Sequence, residues 1–178
     1  DVLKVWSEIL IEVPDSKLIL KSEQLVNKST QKNILEIFIQ QGIATERVTL
    51  LGRVASYNDH LAMYSKIDIA LDPFPYNGTT TTFEALWMGV PTLTIKGTNH
   101  ISRVGTSILH RIGLNEFIAQ DKNDYILKAK AFSENPQYLS QLRNDLREKT
   151  LNSDLCNAKQ FTEDFESCLL QLAKKHTV

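Results

Sequence analysis

Long apolar runs and blocks of one-signed charge are both missing from these 178 residues. No stretch approaches the roughly twenty apolar residues that a bilayer crossing takes. No basic region leads into an apolar one at the start either, so neither a membrane partner nor a secretory leader is expected. The 20 Lys and Arg are interspersed with 21 Asp and Glu for a formal net charge of -1, which leaves no electrostatic footprint for nucleic acid. Cysteine is scarce. Cys156 and Cys168 lack the paired spacing of a zinc site or a disulfide framework and read as reduced thiols of a cytoplasmic protein. Of the four histidines, His100, His110 and His176 are scattered without metal-ligand spacing, so neither a metal nor another cofactor is expected. The phosphate loops G-x-x-x-x-G-K-[ST] and G-x-G-x-x-G are absent as well.

What is present is alternation. Val2, Val5, Trp6, Ile9, Leu10 and Val13 recur at helical spacing, Pro14-Asp15 ends the segment, and Lys17 to Leu20 has the length of a strand. Ser29 or Thr30 can cap a second helix that stops at Gly42, and Val48 to Leu51 follows as a strand. The pattern continues as helix from Tyr57 to Ser65, strand Ile67 to Leu71, helix Thr81 to Met88, strand Pro91 to Ile95, helix Ser102 to Ile112 and strand Glu116 to Ala119. Near-continuous apolar strands between amphipathic helices predict a parallel sheet covered on both faces, an α/β fold of Rossmann-like, doubly wound type over residues 1–120. Residues 121–178 read as added helices, Asp121 to Asn135, Pro136 to Leu151 and Lys159 to Lys175. The last carries Phe161, Phe165, Cys168, Leu169 and Leu172 on one stripe that should dock somewhere. One domain over 1–178 is the expectation from length. The abrupt opening at Asp1-Val2, already inside a helical pattern, reads as a segment of a longer protein.

Four consecutive threonines, Thr79 to Thr82, follow Asn77-Gly78 in "LDPFPYNGTTTTFEALWMGVPTLTI". Threonine is a mediocre helix former, so propensity does not account for the run. The segment sits at the carboxyl end of a predicted parallel strand, where ligands bind in open α/β sheets. The unpaired N–H groups and positive dipole of a helix start suit a phosphate, hydroxyls add donors, and Gly78 allows close approach. The alternative is a plain N-cap at Thr79 or Thr80, with Glu84 as a first-turn acid. Trp87 and Phe83 are expected to pack on the sheet, Asp68 to cap or pair, and Arg143, Arg147 and Lys149 to form a solvated helix face with Asp145 and Glu148.

"LDPFPYNGTTTTFEALWMGVPTLTIKG" followed by "SRVGTSIL" resembles the C-terminal catalytic half of the O-linked N-acetylglucosamine transferase and SPINDLY-like family, inverting glycosyltransferases of GT-B fold. "RVTLLGRVASYNDHLAMYSKIDIALD" upstream matches the same order. The likeness runs from about Val2 to the last helix and is strongest over Val48 to Ile112. It implies a nucleotide-sugar donor, UDP-N-acetylglucosamine by type, and a protein acceptor with Ser/Thr in the full-length parent. By resemblance, Thr79, Thr80 and Thr81 would hold the diphosphate, Asn77 and Gly78 would belong to the same substrate-binding site, and Glu84 would accept from the ribose hydroxyls. Val54 and Ala55, by their backbone, and His60 would face the uracil, and Ser102-Arg103 would start the helix near the sugar end.

The chain departs from the animal members at Thr79, where they have His, at Glu84, where they have Asp, and at Tyr57 and Met63, where they have basic residues. In the family, a central strand and a loop with a phosphate-binding lysine precede the helix corresponding to Val2 to Val13. Here the remaining strands are expected either to re-pair or to self-associate through the gap, since unpaired backbone and open apolar surface are costly. No general base stands out, so the isolated chain is expected to bind without turnover. The parent is expected to carry tetratricopeptide repeats. Two alternatives stay open: a GT-B transferase with another donor such as GDP-fucose, and a non-catalytic nucleotide-sugar-binding module.

Overall fold

The computed structural model describes residues 1–175, and His176 lies outside the described residues. Helices and strands alternate as α1 (Val2–Glu12), β1 (Leu18–Lys21), α2 (Lys28–Gln40), β2 (Val48–Leu51), α3 (Tyr57–Ala62), β3 (Ala70–Leu71), α4 (Thr80–Trp87), β4 (Thr92–Ile95), α5 (Val104–Arg111) and β5 (Ile118–Ala119). Three helices follow without strands: α6 (Lys122–Ser133), α7 (Pro136–Leu151) and α8 (Ala158–Lys175). Every strand pairing is parallel. This is the α/β pattern that the apolar runs predict, because parallel strands need helical crossovers to return the chain. Two strands are shorter than their apolar runs. A 3-10 turn over Met63–Lys66 precedes β3, and another over Asn115–Phe117 precedes β5.

The sheet is divided. β1 pairs β2 with Leu18 opposite Val48, whereas β3, β4 and β5 form a second sheet in that order, with Ala70 opposite Thr92 and Thr94 opposite Ile118. The strands on either side of the expected gap are therefore not re-paired. Two apolar clusters correspond to the two sheets. Leu10, Leu18, Phe38, Ile43 and Val48 pack under β1 and β2, while Leu86, Leu93, Leu109, Leu114, Phe117 and Tyr125 are among those filling the space around β4. Trp6 of α1 and Leu71 of β3 touch both clusters.

Local chemistry sets the ends of these elements. Asn27, not Ser29 or Thr30, caps α2: its Oδ1 accepts from Ser29 N at 2.8 Å and Thr30 N at 3.4 Å, which satisfies orphan N–H groups one turn earlier than expected. Gly42 just beyond the helix adopts φ +78°, a conformation in which other residues are strained. Asn135 caps α7 and Pro136 occupies its first turn, where the missing N–H costs nothing.

Three side-chain expectations are corrected. Trp87 does not pack on the sheet but turns towards α7, where the Arg147 guanidinium lies 5.1 Å from its ring centre and Arg147 Nε donates to Trp87 O at 2.7 Å. Arg143 is not solvated either. It is half-buried and donates to the carbonyls of Tyr64 and Ile67, which holds the turn before β3 onto α7. The apolar stripe of α8 finds no dock among the described residues: Phe161 is 68% and Phe165 55% exposed, and the two rings stack on each other at 6.1 Å.

Candidate functional site

β1, β2, β3 and β4 all direct their carboxyl ends to one rim, and the loops that leave them carry the polar residues of interest. Asp72 follows β3 immediately and is 3% exposed. Its Oδ1 accepts from Gly78 N at 2.7 Å and its Oδ2 from the Thr94 hydroxyl at 2.7 Å, while its backbone carbonyl accepts from the Tyr125 hydroxyl at 3.1 Å. The buried carboxylate of Asp72 thus ties the loop after β3 to β4, and its backbone carbonyl ties it to α6. The loop between Asp72 and Gly78 includes a cis Phe74-Pro75 peptide.

Asn77 braces the same loop. Its Nδ2 donates to Pro73 O at 3.2 Å, its Oδ1 accepts from Gly105 N at 3.4 Å, and it is almost fully buried. Its amide therefore faces the protein, and of the residues singled out in the sequence it is the one whose side chain is not open to a ligand. Gly78 is required for space: a Cβ there would lie 2.5 Å from Thr81 Oγ1 and 3.2 Å from Thr82 Oγ1.

The threonine run divides in two. Thr82 is buried and its hydroxyl donates to Gly78 O at 2.9 Å, which closes the turn. Thr79, Thr80 and Thr81 are exposed. Thr79 occupies the N-cap position of α4 but makes no side-chain cap hydrogen bond, so the plain capping reading does not account for it. The first helical bond runs from Phe83 N to Thr79 O at 3.1 Å, and the N–H groups of Thr80, Thr81 and Thr82 precede it. Three hydroxyls and three N–H groups are gathered at one helix start, an arrangement suited to an oxyanion.

Glu84 and His60, far apart in sequence, meet: His60 Nε2 lies 2.8 Å from Glu84 Oε2, with 22% and 10% of the two side chains exposed. On the other side of the ring, His60 Nδ1 lies 2.9 Å from Lys21 Nζ at the end of β1. Tyr57 and Tyr64 flank the imidazole at centroid distances of 6.1 and 5.7 Å. Tyr64 donates to Thr81 O at 3.2 Å, linking the histidine pocket to the threonine turn. Burial, then the negative charge of Glu84, pushes the Tyr64 phenol up to about 12. Glu84 also raises Tyr57, first through hydrogen bonding. Val54 and Ala55 lie on the loop between β2 and α3 at the same rim, and their backbone groups make no hydrogen bond among the described residues.

Neither Lys21 nor Asp72 is given a site role by the sequence alone. Each is a charged residue at the carboxyl end of an apolar parallel strand, and that position is the signal that could have marked both. Ser102 and Arg103 take part in a different way: Asn99 and Ser102 form a reciprocal capping box just before α5, and Arg103 is exposed. His100 is exposed, and His110 is hydrogen bonded to Asn115 at 2.8 Å.

Burial of Asp72 pushes its carboxyl up to about 6 from an ordinary 3.8, partly offset by the bonds from Thr94 and Gly78. The folded chain therefore holds this proton more tightly than the unfolded chain. The stabilisation it contributes is complete below pH 3.8 and is lost as pH rises through about 6. Compared with an Asp72→Asn variant, which does not titrate, the unfolding free energy should fall by something on the order of 3 kcal/mol between pH 4 and 7. Urea denaturation of both proteins across that window checks the sign.

Residues 1–165 match glycosyl transferase family 41. The chain is 40% identical over 175 residues to the probable UDP-N-acetylglucosamine–peptide N-acetylglucosaminyltransferase SPINDLY of Solanum lycopersicum, covering 98% of this chain and 19% of that protein. It is 28% identical to the UDP-N-acetylglucosamine–peptide N-acetylglucosaminyltransferase of Caenorhabditis elegans over 98% of the chain and 15% of the relative. Among solved structures, a mutant of the O-GlcNAc transferase of Thermobaculum terrenum superposes with a TM-score of 0.87 at 34% identity, over 94% of this chain and 32% of the other. The chain thus spans about a fifth of the length of the plant relative.

Proposed function

The chain belongs to glycosyl transferase family 41, and from that membership and the rim geometry we propose that it supplies the donor-binding part of a protein O-glycosyltransferase. The donor is a nucleotide sugar, UDP-N-acetylglucosamine by the names of its relatives, and the acceptor is a protein hydroxyl. The observation that carries this reading is the set of free threonine hydroxyls above an uncapped helix start. Thr79, Thr80 and Thr81 hold the diphosphate. Glu84, whose Oε2 lies against His60, accepts from the ribose. The free backbone of Val54 and Ala55, with His60, faces the base. Asn77 and Asp72 keep the turn in place without touching the donor.

In the reaction, negative charge grows on the leaving nucleoside diphosphate. Fixed N–H and O–H donors aimed at that charge stabilise the transition state more than the ground state, and they need not reorganise as the bond breaks. Acceptor binding and proton removal are assigned to other parts of the whole protein, so the chain alone binds without turnover. Calorimetric titration with UDP tests the assignment. Thr80→Val and Thr81→Val should each weaken binding by about 1 to 3 kcal/mol, the range for a bond to a charged acceptor. Unchanged affinity in both variants would remove the turn from the site. Replacing UDP by GDP in the same titration separates a uridine donor from a GDP-sugar donor.

A further inference from the structure

Lys21 is the charged residue at this rim to which nothing so far gives a task. It ends β1, is exposed, and makes no ion pair among the described residues. Its one polar partner is His60 Nδ1 at 2.9 Å. An ammonium can only donate, so Nδ1 accepts and the ring proton sits on Nε2, facing Glu84 Oε2 at 2.8 Å. Both imidazole nitrogens are thereby committed, and the ring itself offers a nucleobase a face rather than a hydrogen bond. Exposed Tyr57 and buried Tyr64 lie against it at centroid distances of 6.1 and 5.7 Å. Beside the free backbone of Val54 and Ala55, the charged directional chemistry here is the remaining pair of N–H bonds on Lys21.

From this arrangement we propose that Lys21 selects the nucleobase of the donor, favouring bases that present a keto oxygen at their far edge, uracil and guanine, over those that present an amino group, cytosine and adenine. The proposal rests on the reading of the His60 pocket as the base site. A carbonyl oxygen accepts from the ammonium, whereas an exocyclic amine meets it donor to donor and leaves a charged group without a partner. Sites that hydrogen-bond a substrate group reject analogues lacking it far more strongly than apolar pockets do. The exposure of Lys21 moderates this, because water can solvate the ammonium when the base does not, so the discrimination should be about tenfold or more rather than the extreme values of enclosed sites.

The experiment measures dissociation constants of UDP, GDP, CDP and ADP for the full chain and for Lys21→Met and Lys21→Arg. The wild-type chain should bind the better of UDP and GDP about tenfold or more tightly than CDP or ADP. Lys21→Met should flatten that preference, and Lys21→Arg, still a pure donor, should keep it. A uniform loss across all four nucleotides in Lys21→Met would mean that the lysine merely props His60, and a preference that survives in Lys21→Met would mean that another group reads the base. Either result overturns the proposal. If none of the four binds the wild-type chain, the donor-site reading itself falls and this inference falls with it.

Discussion

Gly78→Val should reduce UDP affinity about tenfold or more while leaving the chain folded, the expected result of displacing the Thr81 hydroxyl, a donor worth about 1 to 3 kcal/mol. The Cβ would stand 2.5 Å from Thr81 Oγ1, so this hydroxyl must rotate away from the turn or the turn must open. Opening it stretches the Gly78 N to Asp72 Oδ1 bond and the Thr82 hydroxyl to Gly78 O bond, both of which set the entry to α4. The three nearest atoms a Cβ would meet belong to Thr81, Thr82 and Asp72, at the turn itself. Circular dichroism and a thermal melt should therefore change little, in contrast to the calorimetric titration. A Gly78→Val protein with wild-type affinity would show that the donor does not lie on this turn.

The largest effect on stability is expected at Phe117. Its ring is fully buried, stacks on Phe132 at a centroid distance of 4.0 Å and an interplanar angle of 9°, and lies 6.5 Å from the Tyr138 ring. Phe117→Ala removes one ring of this three-ring cluster, which joins the entry of β5 to α6 and α7. The lost transfer energy and the cavity together should lower the unfolding free energy by about 3 to 5 kcal/mol. A smaller change by urea denaturation, under about 1 kcal/mol, would mean that Phe132 and Tyr138 collapse into the space, since cost at fixed chemistry depends on how far a site can close. The Tyr138 hydroxyl, bonded to Glu116 at 2.7 Å, opposes that collapse by anchoring its ring.

The element order was legible because apolar periodicity responds to which face of a segment is covered, and coverage is what distinguishes these helices and strands. Helix α7 runs from Pro136 to Leu151 as read, its start marked by proline. The threonine turn was legible for the same local reason: a glycine, several hydroxyls and a helix lie next to one another in the chain. Harder to read were pairings made at a distance. Arg143 looks like a member of a solvated face until the carbonyls of Tyr64 and Ile67 arrive from another element. Asp72 looks like a loop residue until β4 brings Thr94 beside it. The meeting of Lys21, His60 and Glu84 depends on three strands ending at one rim, and no spacing along the chain encodes it. Asn27 displaced the expected caps of α2 because its shorter reach to the backbone of Ser29 lets the helix begin sooner. The stripe on α8 was read correctly as apolar, but a stripe reports that a face is suited to burial and not what buries it.

The division of the strands into two hydrogen-bonded groups has a thermodynamic consequence. A backbone ladder couples its members tightly, because opening one strand exposes polar groups on the next; where the ladder stops, that coupling stops too. The β1–β2 pair and the β3–β5 sheet therefore share no backbone ladder and are joined by side chains: α1 buries Val5 and Ile9 in one cluster and Leu10 in the other, Trp6 and Leu71 touch both, and His60 meets Glu84 across the seam. The proposed donor site straddles that seam: Lys21 ends one strand and His60 follows the other of the first group, and Asp72, the threonines and Glu84 follow a strand of the second. A ligand gripping both sides would stabilise their relative placement by an amount that grows with the logarithm of its affinity, so the proposed donor would act as a clasp between the two groups of strands.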